Sequence, residues 1–286
     1  MSRRILVLGG TGMLGQPVVH CLTDKGHTVR ILTRSAEKTH NMFGDTVDVV
    51  EGTATNRDDI RAALIGCDAV HINLTPVSEL AATRHVIELA EDRLERITYV
   101  SATTLSEENR WFDRVDVKLC TEELLRNSGI QHAVFCPTWV METLHNFIRG
   151  NRAVVLHGNN PPELHFFAAA DFGRMVAASY DDERALGKRL FVYGPEAITL
   201  QDATERFVAA CYPTVKVMRW KLWQARLVAK LIRNENLAEV TELIAYLDVA
   251  GEHGDPSEAN TLFGAPAIAL DEWFKMPKDS RKGMPH

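Results

Sequence analysis

With 286 residues, 45% of them hydrophobic and 24% charged, and a mean hydropathy near zero, the chain has the profile of a globular protein with a sizeable core, which excludes general disorder. A formal charge of −6 from 32 basic and 38 acidic residues, with no block of Lys and Arg long enough to track phosphates, argues against non-specific nucleic-acid binding. Five widely spaced cysteines, Cys21, Cys67, Cys120, Cys136 and Cys211, contain no Cys-x-x-Cys pair and cannot all pair, so they read as small buried hydrophobes in a reducing compartment.

The chain opens on Met1-Ser2-Arg3-Arg4 and an apolar run of only four residues, Ile5 to Leu8. A signal peptide needs about 7–15 apolar residues and a membrane-spanning helix about 20, so a cytoplasmic protein with no membrane partner is expected. Residues 5–8 predict a strand, 9–15 a Gly/Thr turn, and 16–25 a helix with Val18, Val19 and Leu22 at helical spacing. Strands follow at 28–33, 47–51, 68–74, 97–101 and 132–136, and helices at 57–64, 78–91 and 116–128. Six strands alternating with helices imply a doubly wound parallel sheet of Rossmann type, in an α/β protein. Beyond Pro137 the alternation loosens into a helix at 142–149, a turn at 158–162, a helix at 170–180, a strand at 189–192 and a mostly helical stretch over 200–250.

The expected organisation is therefore a core over 1–137, a smaller, mostly helical lobe over 138–274 interleaved with it, and a polar tail over 275–286 that frays. In the lobe, Leu222, Ala225, Leu227 to Ala229 and Leu231 recur at helical spacing near Trp220 and Trp223. This reads as core and lobe packing rather than a recognition surface.

The turn Gly9-Gly10-Thr11-Gly12-Met13-Leu14-Gly15 lies where a strand ends and a helix begins. Such a turn lets the backbone approach a pyrophosphate and places the positive end of a helix dipole beneath it. Glycines also serve ordinary tight turns, but a complete βαβ context favours nucleotide binding. Where an acid would bind a ribose 2′-hydroxyl, the chain has Thr33-Arg34-Ser35, with Lys38 close by. A guanidinium matches a 2′-phosphate, so NADP(H) is preferred over NAD(H); the alternative is that Arg34 is a solvated surface charge.

With these residues in view, the chain resembles the NmrA-like atypical short-chain dehydrogenases/reductases, relatives of quinone reductases and isoflavone-reductase-like enzymes. The resemblance rests on the Gly9 to Gly15 turn, Val50-Glu51-Gly52, Tyr99-Val100-Ser101, Lys118 within Val117-Lys118-Leu119, Pro137-Thr138-Trp139-Val140-Met141-Glu142, Ala170-Asp171-Phe172-Gly173 and Gly194-Pro195-Glu196. It implies cofactor contacts from Gly9, Thr11, Gly12, Met13, Leu14, Gly15, Asn73, Leu74, Thr75, Ser101, Lys118 and Pro137. It further implies an acceptor wall from Trp139, Met141, His145, Phe166 and Phe167, with His145 a candidate proton donor; Thr103, like Ser101, lies just past the end of the fifth strand, where an open sheet places ligands.

Two departures stand out. Gly52 is followed by Thr53 where members often carry an acid against the adenine. In the Tyr-x-x-x-Lys position the chain reads Arg114-Val115-Asp116-Val117-Lys118, and an arginine cannot release a proton at working pH. Lys118 is then the site residue the resemblance favours, against a plain surface lysine on an amphipathic helix; Ser101 orients a carbonyl or begins a turn.

No hydrolase, P-loop or EF-hand motif is present, and His157 and His165 are too far apart and too poorly supported by nearby acids for a metal site, so turn histidines and no metal are expected. Two functions compete: an NADPH-dependent reductase of a quinone, enone or imine, and a non-catalytic NADP(H) sensor acting on a regulatory protein partner. A scaffold in a biosynthetic pathway is a weaker third. The expected ligand is a small molecule, and a homodimer is compatible with the sequence.

Overall fold

The computed structural model describes residues 2–90, 93–277 and 281. Seven parallel strands form the central sheet: β1 (Arg4–Leu8), β2 (Thr28–Thr33), β3 (Asp48–Glu51), β4 (Ala69–Ile72), β5 (Arg96–Val100), β6 (His132–Pro137) and, after four short strands elsewhere, β11 (Arg189–Val192). Their order is β11-β6-β5-β4-β1-β2-β3. The chain belongs to the doubly wound α/β class, with one more strand than the six expected, because β11 pairs with β6 from Arg189↔Val134 to Val192↔Pro137.

Every residue of β4 and β5 is buried, as strands covered by helices on both faces must be. The helices of this half are α1 (Gly15–Asp24), α2 (Ala36–Phe43), α3 (Arg57–Leu64), α4 (Pro76–Leu89) and α5 (Asp113–Asn127). In α1, Val18, Val19 and Leu22 form the buried stripe that packs on the sheet. The strand order reverses at β1, between β2 and β4, which opens a crevice at the carboxyl ends of β1 and β4.

The rest of the chain departs from the expectation of a mostly helical lobe. Between β6 and β11 lie β7 (Trp139–Val140), β8 (Ile148–Arg149), β9 (Arg152–His157) and β10 (Glu163–Phe167); β12 (Glu196–Thr199) and β13 (Lys216–Lys221) follow. They form two three-stranded sheets, β12-β10-β7 and β13-β9-β8. The helix expected over 142–149 is a 3-10 segment at Met141–Phe147 ending in β8. β7 and β8 are two residues long, too short to show a period, whereas β9, β10 and β13, at five or six residues, are no shorter than β1 and were passed over because the βαβ alternation stops at Pro137. The helices are α6 (Ala169–Ser179), α7 (Leu200–Cys211), α8 (Leu222–Ile232), α9 (Glu235–Ala250), α10 (Ser257–Phe263) and α11 (Leu270–Trp273).

Helix α6 returns to the first half and packs against α1. Gly173 permits the approach, since a Cβ there would lie 2.6 Å from the Pro17 carbonyl carbon. Cys67 and Cys136 are buried as expected, but Cys21, Cys120 and Cys211 are only half-buried; all five are free thiols. Of the tail expected to fray, residues 278–280 and 282–286 lie outside the described residues, as does residue 91 at the expected end of α4. No helix among the described residues is long and apolar enough to cross a membrane.

Candidate functional site

The glycine turn lies at the crevice. Gly9 has φ +85°, and a Cβ there would come within 1.9 Å of the Asn73 carbonyl oxygen, while the Asn73 amide donates to the Leu8 carbonyl at 3.0 Å. Close packing of the β1 and β4 ends thus requires glycine at this position. Gly15 is equally constrained, its Cβ position being 2.1 Å from the Gly9 carbonyl oxygen. Gly12 differs: apart from the Gly9 oxygen at 3.1 Å, nothing lies within 4 Å of where its side chain would be.

The Gly12 amide donates to the Gly9 carbonyl at 3.0 Å, and the Gln16 side-chain amide holds the Thr11 carbonyl at 3.1 Å, which shapes the loop. Met13 and Leu14 are half-buried at the start of α1, whose N-terminus has no side-chain cap and no acid in its first turn. An uncapped helix start beside an open glycine is a cradle for an anion, and the residues present fit a pyrophosphate.

Around the crevice, Leu74 lies near Gly9 and Thr75 is the N-cap residue of α4. Arg34 follows β2, exposed, with no carboxylate in ion-pair reach among the described residues. Next to it, Ser35 caps α2 by accepting from the Lys38 amide at 3.3 Å. Beyond β3, the Thr53 amide donates to the Asp59 carboxylate at 2.8 Å; an acid not singled out in the sequence therefore stands beside the Gly52-Thr53 departure.

Lys118 is not a plain surface lysine. Its ammonium donates to Glu79 Oε2 and to the Val100 carbonyl, each at 3.1 Å, and lies 5.3 Å from the centre of the Tyr99 ring. The Glu79 side chain is fully buried; burial raises its carboxyl above the ordinary range and Lys118 pulls it back down. Burial, then the Glu79 charge, push the Tyr99 phenol well above its ordinary value. Glu79 was not singled out, since an acid in the first turn of a helix is ordinary. The available signal was its place on the stripe Glu79, Ala82, Thr83, Val86, all buried.

Ser101 is buried, and its hydroxyl donates to Glu122, which also pairs with Arg189 at 3.0 Å. Its side chain is thus engaged with α5. Thr103 is buried, its amide donating to the Pro137 carbonyl at 3.3 Å. Trp139, Met141 and Phe166 fall into one apolar cluster with Leu119 and Ala102, while Phe167 belongs to the cluster under α6. Met141 and Phe166 are almost wholly covered, so of the three Trp139, half-buried, has surface left to offer. His145 lies among Phe207, Tyr212 and Trp273, with Tyr212 Oη 3.3 Å from its Nδ1.

Two further acids have largely buried side chains. His165, expected to lack an acidic neighbour, has Glu252 Oε2 2.7 Å from Nδ1, a contact across 87 positions of sequence. Glu142 is buried against the Ala169 amide and the Trp273 indole, and burial pushes it up to about 7. A raised carboxyl pKa means the folded state holds the proton more tightly, so stability falls as pH rises from about 4.5 through about 7, by roughly 3 kcal/mol. Glu142→Gln should abolish this slope: urea titrations at pH 4.5 and 8 should show the variant gaining on the parent, and an unchanged gap would refute the assignment.

A sequence profile described as NAD(P)H-binding matches residues 9–183, more than half of the chain. The chain belongs to the NAD(P)H-binding family. The photosystem II assembly factor Ycf39 of Synechocystis is 23% identical over 208 residues, 68% of this chain and 63% of that one. A 4-hydroxy-2-methyl-3-oxo-4-farnesyl-3,4-dihydroquinoline-1-oxide ketoreductase of Stigmatella aurantiaca is 27% identical over 125 residues, 40% of this chain and 37% of that one. The chain thus covers less than two thirds of either relative. Among solved structures, an NADPH-dependent quinone oxidoreductase of Escherichia coli complexed with NADPH superposes with a TM-score of 0.74 at 18% identity, covering 94% of this chain and 98% of that one. This last likeness establishes the shared fold.

Proposed function

We propose that this NAD(P)H-binding protein is an NADPH-dependent reductase of the NmrA-like atypical short-chain type, acting on a small, partly apolar quinone, enone or imine. The observation that carries the reading is the open Gly12 cradle at the uncapped start of α1, placed where the strand order reverses. In this reading residues 1–137 hold the cofactor, and Trp139 and its neighbours from 138–274 wall the acceptor. Bound NADPH would supply a hydride. Lys118, fixed by Glu79 and the Val100 carbonyl, positions the ribose, and Arg34 pairs with the 2′-phosphate. A quinone or imine takes its proton from water, so no phenol is needed at position 114.

The test is NADPH oxidation by the purified protein across quinones, enones and imines. Turnover with one class supports the reading; tight NADPH binding without turnover on any defeats it. Arg34→Ala should raise the Kd for NADPH by about tenfold or more and leave that for NADH unchanged, since one charge-assisted contact is removed. Equal weakening of both would overturn the preference for NADP(H).

A second reading, a redox sensor that binds NADP(H) without turnover, is favoured by Arg114, which turns outward to Glu239 of α9 at 2.7 Å. A relative named as an assembly factor also supports it. This reading requires that oxidised and reduced cofactor bind with different affinities.

A further inference from the structure

Helix α8 is built inside out. Its buried residues are the small Ala225 and Ala229, while Trp223, Leu227, Leu231 and Ile232 are 61%, 51%, 73% and 61% exposed. The expectation that Leu227 and Leu231 pack into the lobe is therefore wrong. Residues 223, 227 and 231, four apart, form one continuous stripe on the outer face. Arg226 and Lys230, three positions beyond Trp223 and Leu227, border it.

The charge of the segment that carries the stripe is one-sided, and the acids near it, Glu235, Glu239 and Glu242, come from α9, which packs on α8. From Arg206 to Asn234 the chain carries seven Lys and Arg and no Asp or Glu, in a protein whose net charge is −6. Arg206 pairs with Glu196 and Asp271, Arg219 with Glu205 and Arg226 with Glu242, whereas Lys216, Lys221, Lys230 and Arg233 have no acid within ion-pair distance among the described residues. An apolar stripe headed by tryptophan and rimmed by cations is the pattern of a helix lying in a membrane interface, with cations on lipid phosphates and apolar side chains among the acyl chains.

We infer that the outer face of α8 docks reversibly on an anionic lipid surface. A second copy of the chain fits this face less well, because a two-fold contact about α8 sets its basic rim against the same rim. The inference departs from the expectation of no membrane partner and is independent of what the crevice does.

The test is co-sedimentation of the full chain with vesicles of phosphatidylcholine alone or mixed equally with phosphatidylglycerol. The expected result is at least about tenfold stronger binding to the anionic vesicles at low ionic strength, lost near ~0.5 M NaCl. Leu227→Glu/Leu231→Glu should abolish it with unchanged thermal unfolding, since both residues are exposed. No binding to anionic vesicles, or equal binding to both kinds, overturns the proposal. So does a dimer in the parent that the double variant converts to a monomer without any vesicle binding, which would assign the face to self-association.

Discussion

A Gly12→Val protein should fold like the parent and lose NADPH. The Gly12 side-chain position is open apart from the Gly9 carbonyl at 3.1 Å, so an isopropyl group has room in the free protein but occupies the volume a pyrophosphate needs. A rise in Kd of at least about 100-fold, close to 3 kcal/mol, is expected by isothermal titration with little change in the melting temperature. Gly15→Ala provides the contrast. Its Cβ would lie 2.1 Å from the Gly9 carbonyl oxygen, so this variant should lose stability whether or not cofactor is present. Unchanged NADPH affinity in Gly12→Val would make the turn merely structural.

The second large effect concerns the pair beneath the crevice. Lys118→Met leaves Glu79, fully buried, without its cation, and breaking such a pair costs about 3–5 kcal/mol. Burial already raises the Glu79 carboxyl and Lys118 lowers it, so removing the lysine raises it further. The folded variant then holds a proton that the unfolded chain releases above about pH 4.5, and its stability falls as pH rises. The deficit measured by urea unfolding should therefore be large at pH 7.5 and shrink towards pH 5.

Glu79→Gln/Lys118→Met removes both charges and should recover most of the loss. That double variant separates fold from chemistry. Restored stability with no turnover assigns Lys118 a role at the cofactor, whereas restored turnover makes the pair structural. A Lys118→Met deficit that does not change with pH would contradict the account of Glu79.

The glycine turn and the first six strands were legible because each strand is either a short apolar run or is flanked by turn residues, and α1 and α3 carry clear apolar stripes, whereas the short α2 over Ala36–Phe43 was passed over as part of a connection. The seventh strand, β11, was read as a strand, but nothing local says that it joins β6. Pairing across that distance is decided by tertiary packing. The same limit hid Glu252 beside His165, 87 positions away. Glu79 and Lys118 were legible in principle, as charged residues on buried helix faces, but only Lys118 was singled out, through the resemblance. On α8 the spacing was read correctly and its direction was not: periodicity marks an apolar stripe but does not say which way it faces, and the small Ala225 and Ala229 took the inner side.

The return of α6 and β11 to the first half also bears on how the chain is made. The glycine turn leaves the ribosome well before the helix packed against α1 and the strand that covers the β6 edge, which arrive only with residues 169–192. At a synthesis rate of about 5–20 residues per second, the edge of β6 stays open for roughly 3–11 seconds after Pro137 has been added. During that interval the nascent chain displays an unpaired parallel edge next to an uncovered helix face, a state that chaperones bind and that aggregates if left alone.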